Sequence, residues 1–404
     1  MINIAILGFG KVGSGIAEVI ERGYNLIRKE LQDSVRIKYI LDLRDFPGTP
    51  YQDLVVHDIN TIVEDPEVTI VCETMGGSKP AFEYSMACLR AGKHVVTSNK
   101  EVVANFGNLL CDAARDNGVR YLYEASVGGG IPLIRPIKTA LCCNEICEIN
   151  GILNGTTNFI LTQMEQHGKS FDDALANAQE LGYAERDPRA DVNGEDACRK
   201  ICILAALAFG VLVSPSLVSC TGVRNISQED VAIAKKFGAA VKLVGSTKRL
   251  ADGSIDIRVS PCLVPSNNPM VKVDDVNNAI LVRASALGEV MFYGPGAGSL
   301  PTGSAILSDI IDIAKHMNSK NIVQETWESA DESIVCNEDE TPNHYYAAVD
   351  ATADAVKPHF GEDVEILYTE EGLTAFIAHG ISKHAFNRAI AALGAKVYSQ
   401  LRAL

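Results

Sequence analysis

Residues 2–13 read INIAILGFGKVG, and this short stretch limits the fold more than any other part of the chain. INIAIL is apolar, rich in β-branched side chains and of strand length. It breaks into Gly8-Phe9-Gly10-Lys11-Val12-Gly13, a G-x-G-x-x-G, and the helical pattern SGIAEVIERGYNLIRKEL follows. In a strand–turn–helix of this kind Gly8 permits the tight turn, Gly10 lets the backbone approach a pyrophosphate, and Gly13 lets helix and strand pack closely. The unpaired N–H groups at the helix start then face the phosphates. The motif predicts a Rossmann-like, doubly wound α/β domain that binds a dinucleotide through Gly8, Phe9, Gly10, Lys11, Val12 and Gly13.

Further strand–helix units extend the pattern. RIKYILDL ends at Asp42, with Arg44 and Asp45 just beyond. An acid at the end of this strand accepts hydrogen bonds from the ribose hydroxyls of NAD, whereas an arginine suits the extra phosphate of NADP. Both types are present, and Arg44 and Asp45 also read as a surface turn, so the choice stays open. TIVCETMGG (69–77) is an apolar strand ending in a glycine pair, SKPAFEYSMACLRAGKH is a helix, VVTSNK follows, and VRYLYEASVGGGIPLI is a further strand and glycine loop. Such alternation implies a parallel sheet with ligands at the carboxyl ends of its strands. That places Thr74, Gly76, Ser98, Asn99, Lys100 and Glu124 on one rim. Lys100 is either a surface lysine or a working group of that rim.

Composition narrows the functional classes. With 404 residues the chain suggests two or three domains, and 47% hydrophobic with 22% charged residues is globular. A net charge of −15 disfavours nucleic acid as a partner. The longest apolar run, 201–213, is too short to span a membrane. The chain enters a strand pattern at once, without a basic region and cleavage site, so no secretory leader is expected and the cytoplasm is the expected compartment. Eleven cysteines, several in apolar runs (Cys72, Cys198, Cys202, Cys220), fit reduced thiols. Cys142, Cys143 and Cys147 lack a fourth ligand at metal spacing and read as strand residues.

From about residue 136 the pattern changes, and 136–299 reads as an α+β domain. DDALANAQELG (172–182) is an amphipathic helix capped by Gly182. ERDPRADVNGEDACRK (185–200) then packs five acids, three arginines and a lysine against the uncharged run ICILAALAFGVLV. Pro188 stops one helix, and another resumes near Gly194. Asp196 and Lys200, four apart, share a face. They form either a surface salt bridge worth a few tenths of a kcal/mol or a charged pair on a cleft floor. In the second case Lys200 could move a proton on a substrate oxygen, with Lys100 as a second cation and Glu185 as a partner for an ammonium.

Six stretches together resemble one family, the homoserine dehydrogenases: GFGKVGSG (8–15), ETMGG (73–77), VVTSNK (95–100), NGTTNFIL (154–161), LGYAERDPRADVNGEDACRK (181–200) and GPGAGSLPTGSA (294–305). The resemblance implies reversible NAD(P)-dependent reduction of L-aspartate 4-semialdehyde to L-homoserine, in threonine and methionine biosynthesis. It implies that Lys200 is the proton donor, that Lys100 lies near substrate and nicotinamide, and that Glu185, Asp191, Asp196, Gly155 and Thr156 line the substrate site. It also brings Gly298 and Ala305 to the cofactor, beside Thr74, Ser98 and Lys100. The first domain then comprises 1–135 completed by about 300–325, and 136–299 is a catalytic and dimerisation domain of a homodimer or homotetramer. In some members a segment like 124–131 holds a monovalent cation (Na+ or K+), here through Glu124, Val127, Gly129 and Ile131. Glu101 beside Lys100 and Glu195 before Asp196 depart from the usual pattern. Bifunctional relatives carry a kinase ahead of the glycine motif; none is expected here. The rival readings are another reductase of a small amino-acid-like carbonyl, and a non-catalytic sensor.

The stretch DESIVCNEDETPNH (331–344) is acid-rich and reads as a linker. Residues 340–404 follow as β-α-β-β-α-β, the ferredoxin-like order, and resemble the ACT modules of this family. The usual D-x-P-G-V-L ligand turn is replaced by Asp350-Ala-Thr-Ala-Asp-Ala-Val. A threonine effector and a role in assembly therefore both stand open. His344 and His384 read as ordinary surface or core residues.

Overall fold

The computed structural model describes residues 1–317, 324–361 and 364–404. They form two compact units, the first of residues 1–145, 202–215 and 294–330, the second of 146–201, 216–293 and 331–404. Residues 318–323, within the stretch expected to complete the first domain, lie outside the described residues.

The first unit is built on β1 (Ile2–Leu7), β2 (Val35–Leu41), β3 (Val55–Val56), β4 (Val68–Glu73), β5 (His94–Thr97) and β6 (Tyr121–Leu122), in the order β3-β2-β1-β4-β5-β6. Every pairing is parallel. Strand order reverses between β1 and β4, the switch point at which such sheets bind ligands. Ile4, Ala5, Ile6 and Leu7 are all fully buried, which is why β1 reads as a continuous apolar run. The helices are α1 (Lys11–Arg22), α2 (Tyr24–Leu31), α3 (Ile59–Val63), α4 (Lys79–Arg90), α5 (Lys100–Asp116), α6 (Ile134–Thr139) and α12 (Ser299–His316), and a short ladder joins β8 (Val211–Leu212) to β14 (Glu328–Ser329). Helix α12 lies against α1 through two glycines. A Cβ on Gly303 would sit 2.8 Å from the Gly15 carbonyl carbon, and one on Gly15 the same 2.8 Å from that of Ser299. Only glycine allows backbones so close.

The second unit holds a ten-stranded mixed sheet of β7 (Ile146–Ile152), β9 (Ser219–Cys220), β10 (Ala240–Arg249), β11 (Ile255–Val264), β12 (Asn277–Ala284), β13 (Gly288–Pro295), β15 (Asn343–Asp350), β16 (Val364–Glu370), β17 (Leu373–Ile381) and β18 (Val397–Ala403). Its helices are α7 (Gly155–His167), α8 (Phe171–Glu180), α9 (Arg189–Val192), the first turns of α10 (Glu195–Phe209), α11 (Gln228–Lys236), α13 (Ala353–Phe360) and α14 (Lys383–Leu393). The tail strands run β18-β15-β17-β16, antiparallel throughout, which is the ferredoxin-like order expected of 340–404.

Residues 340–404 pack a core of their own, with Tyr345, Val349, Val356, Phe376 and Phe386 together, and β18 also pairs in parallel with β11 and continues its sheet. The stretch 331–344, expected as a linker, joins the sheet of the second unit instead. Val335 bridges to Ile255, and the Cys336 amide donates to the Ile255 carbonyl at 3.0 Å. Of its acids, Glu338 is half-buried and accepts from Ser219 and from Lys383, while Asp331, Glu332, Asp339 and Glu340 are exposed. Beneath them Arg258, only 2% exposed, donates through Nε to Asp256 at 2.6 Å, and Asp256 also accepts from Asn343 at 3.0 Å. The opening stretch of the first unit runs to Glu145, and β7 of the second begins at Ile146.

Candidate active site

The glycine turn of the first unit is held from two sides. Gly8 has φ +88°, and Thr74 at the end of β4 donates through its hydroxyl to the Gly8 carbonyl at 2.7 Å. A Cβ on Gly13 would overlap the Gly8 carbonyl oxygen and lie 3.2 Å from Thr74 Oγ1. Gly10, the N-cap of α1, differs: a Cβ there meets nothing within 4 Å. That open space, over the first turn with Lys11 and Val12, is the cradle a pyrophosphate would fill. Phe9 packs its ring on Phe46 and Tyr51, and its amide donates to Asp42 at 2.7 Å. Asp42 also accepts from Arg44 Nε at 2.9 Å, and the Arg44 guanidinium lies over the Phe46 ring. That guanidinium, helped by the Phe9 amide, holds Asp42 down to about 2. An ionised carboxylate thus ends β2. These residues fit a dinucleotide.

The rest of the rim is in the same unit. Ser98 and the half-buried Lys100 bracket Asn99, whose side chain caps α5 by accepting from the amides of Glu101 and Val102. Gly298 is the N-cap of α12, with φ +127°, and the next residue, Ser299, donates to the Lys11 carbonyl at 2.6 Å. Ala305 is buried nearly two turns further along α12. The buried Glu124 carboxylate accepts from the amides of Leu133, Ile134 and Arg135, so it caps α6. The 124–131 turn closes on the carbonyls of Tyr123 and Gly128, at 2.9 Å each, rather than on those of Glu124, Val127, Gly129 or Ile131.

In the second unit the charged stretch before α10 folds inward. Lys200 and Asp196 are 7% and 6% exposed and pair at 2.8 Å, so the surface-bridge reading fails. Lys200 also donates to the Leu153 carbonyl at 2.7 Å. The next residue, Asn154, organises the rest. Its oxygen accepts from the Thr157 amide and caps α7, while its amide nitrogen donates to Asp191 at 2.7 Å and to Asp196 at 3.0 Å. One asparagine thus joins two carboxylates to a helix start. Burial pushes Asp191 up, the Asn154 hydrogen bond opposes it, and the Asp196 charge adds to it. Gly155 is required because a Cβ would lie 2.6 Å from the Val276 carbonyl oxygen. Thr156 donates to the Tyr183 carbonyl at 2.8 Å. Glu185 is exposed, its carbonyl accepts from Gln179 at 3.0 Å, and among the described residues its carboxylate is not joined to this set.

Two models of known families match the chain. The homoserine dehydrogenase model covers residues 132–311, and the model of that family's NAD-binding domain covers 8–124. A homoserine dehydrogenase of Synechocystis is 42% identical over 79% of this chain and 75% of its own length. One of Bacillus subtilis is 39% identical over 78% and 73%. The chain belongs to the homoserine dehydrogenases. Among solved structures, a homoserine dehydrogenase from Thiobacillus denitrificans superposes with TM-score 0.85 at 32% identity, covering all of this chain and 98% of that one. A hyperthermophilic archaeal homoserine dehydrogenase in complex with NADPH matches with TM-score 0.65 at 29% identity over 78% of this chain.

For a homoserine dehydrogenase, then, the sequence reading missed Asn154 and Glu73. Asn154 has no role in that reading, although an asparagine ahead of a helix is itself a capping signal. His344 also has a partner that was not foreseen, His379, at 3.1 Å between Nδ1 atoms.

Proposed function

We propose that Lys200 moves the proton in the interconversion of L-homoserine and L-aspartate 4-semialdehyde, and that the acids around it recognise the substrate's ammonium. The activity is that of an NAD(P)-dependent homoserine dehydrogenase; the residue roles are inferred. The observation that supports them is the set of the buried Lys200, Asp196 and Asn154 with the half-buried Asp191, two carboxylates joined to one lysine through one asparagine. Those carboxylates suit the ammonium that an α-amino acid brings. In the reducing direction Lys200 Nζ gives a proton to the carbonyl oxygen and stabilises the developing alkoxide. Asp196 and the Leu153 carbonyl aim Nζ. Gly155 and Thr156 shape the turn beside the set, Lys100 assists from the cofactor rim, and Glu185 adds a further, exposed carboxylate for the ammonium. NAD or NADP supplies the hydride acceptor. Glycines 8, 10 and 13, with Thr74, Ser98, Gly298 and Ala305, hold it.

The test is a comparison of L-homoserine with 4-hydroxybutyrate, which keeps hydroxyl and carboxylate but lacks the ammonium. A site that leaves buried acids unpaired discriminates by about 10⁴ in kcat/KM. A loss below tenfold would remove the acids from substrate recognition.

Three further points belong to this reading. The carbonyls of Glu124, Val127, Gly129 and Ile131 are suited to a monovalent cation. The enzyme is a cytoplasmic homodimer or homotetramer, and the edge strand β13, with Met291 and Tyr293 exposed, suits a second copy. The ferredoxin-like tail is an ACT-like module, and activity with and without threonine decides between sensing and assembly.

A further inference from the structure

Glu73 is the last residue of β4, and its side chain is fully buried. None of the roles above uses it. Its two oxygens hold two separate pieces of the cofactor rim. One accepts from the Met75 amide at 2.7 Å, and the other accepts from the Thr97 hydroxyl at 2.6 Å. Thr97 Oγ1 in turn accepts from the Asn99 amide at 2.9 Å. The Asn99 side chain donates back to the carbonyls of Met75 and Gly77, at 3.2 and 2.8 Å, and accepts from the first turn of α5. The bonds form a closed circuit through the 74–77 loop, the 97–99 turn and the helix start, and Lys100 is the first residue of that helix.

An ionised carboxylate only accepts, and its two oxygens satisfy an N–H and an O–H together without a competing donor. A glutamine would set its own NH2 against one of them. Burial makes the charge expensive, so Glu73 is pushed up to about 7. The buried Tyr121 hydroxyl, which has no hydrogen-bond partner among the described residues, is a titratable group that feels it. An apolar residue would fill the space at less cost but would leave the Met75 amide and the Thr97 hydroxyl unpaired.

We propose that Glu73 is a positioning residue for the reaction, locking the 97–99 turn to the 74–77 loop and so fixing Lys100 at the start of α5. The proposal rests on the role given to Lys100 above. It requires that damage at Glu73 be transmitted through Lys100.

The experiment measures homoserine oxidation by the full chain and by Glu73→Gln, Lys100→Ala and the double variant. Melting curves confirm that each is folded. Glu73→Gln is expected to lower kcat about tenfold or more with KM for homoserine little changed, the signature of an interaction made in the transition state. The double variant is expected to be no slower than Lys100→Ala alone, because residues that act as one unit are not additive. Losses that multiply, or parental kcat in Glu73→Gln, overturn the proposal. So does an unimpaired Lys100→Ala beside an impaired Glu73→Gln, although the dehydrogenase activity itself would then stand. Should Glu73→Gln not fold, Thr97→Val cuts the same circuit at one bond and must show the same non-additivity with Lys100→Ala.

Discussion

Gly10 and Gly13 lie three residues apart in one motif, yet alanine at each should fail in a different way. At Gly10 the backbone has φ −83° and ψ −152°, which alanine adopts, and the new methyl meets no protein atom within 4 Å. Replacing an N-cap glycine loses at most about 1 kcal/mol, and the stiffer unfolded chain returns about 0.4–1 kcal/mol, so the melting temperature should barely move. The methyl instead occupies the space where a pyrophosphate approaches. Losing one or two hydrogen bonds to a charged group costs about 1.5–3 kcal/mol each, a dinucleotide affinity loss of at least tenfold. At Gly13 the methyl overlaps the Gly8 carbonyl oxygen and lies 3.2 Å from both the Gly8 carbonyl carbon and Thr74 Oγ1. Nothing there is the loose end of a flexible side chain, so α1 must lift from β1. Overpacking of that kind costs about 1–3 kcal/mol, only partly offset by alanine's helix propensity. Gly13→Ala should therefore lower the melting temperature and the affinity together. Thermal melts and titration with NADH and NADPH separate the cases. Parental affinity in Gly10→Ala, or parental stability and affinity in Gly13→Ala, would refute the assignment of these glycines.

Asp42→Ser removes the ionised carboxylate at the end of β2 and releases Arg44, so kcat/KM should shift toward NADP by about tenfold or more; an unchanged cofactor ratio would place the ribose elsewhere. Glu73 moves from 4.5 to about 7 on burial. A raised carboxyl pKa gives stability that is full below the unfolded value of 4.5 and is lost as pH rises through 7. The gap is worth about 3 kcal/mol, so Glu73→Gln should flatten the fall in melting temperature between about pH 5 and pH 8; an unaltered slope would show that another group titrates. Arg258→Met removes the nearest cation from the buried Asp256, leaving Lys248 at 3.7 Å, and should destabilise the second unit by up to about 3–5 kcal/mol, whereas Asp256→Leu with Arg258→Met should recover much of it. Calorimetry of the single and double variants checks both.

What was legible in the sequence was mostly local. The glycine turn declares itself because its steric demands fall within six residues of one strand–turn–helix. The tail's strand order is legible because its elements are consecutive and pair with near neighbours. The face shared by Asp196 and Lys200 follows from helix geometry. Whether that face is buried does not, because it depends on Asn154, which lies 42 residues from Asp196 in the chain. The stretch 331–344 misled for the same reason. Most of its acids are exposed, but Glu338 is held by Ser219, 119 residues away, and by Lys383, 45 residues away, which composition does not show. Glu73 went unassigned because a lone acid at a strand end has no signature until Thr97, 24 residues on, is seen against it.

The role of Lys200 is tested most directly by following reduced nicotinamide while L-homoserine is oxidised by the parent and by Lys200→Ala, with dinucleotide affinity measured on both. The account expects turnover in the parent, a loss of several orders of magnitude in Lys200→Ala, and unchanged dinucleotide binding. Near-parental turnover in a folded Lys200→Ala that still binds the dinucleotide would contradict it and would leave the buried Lys200–Asp196 pair as structure alone.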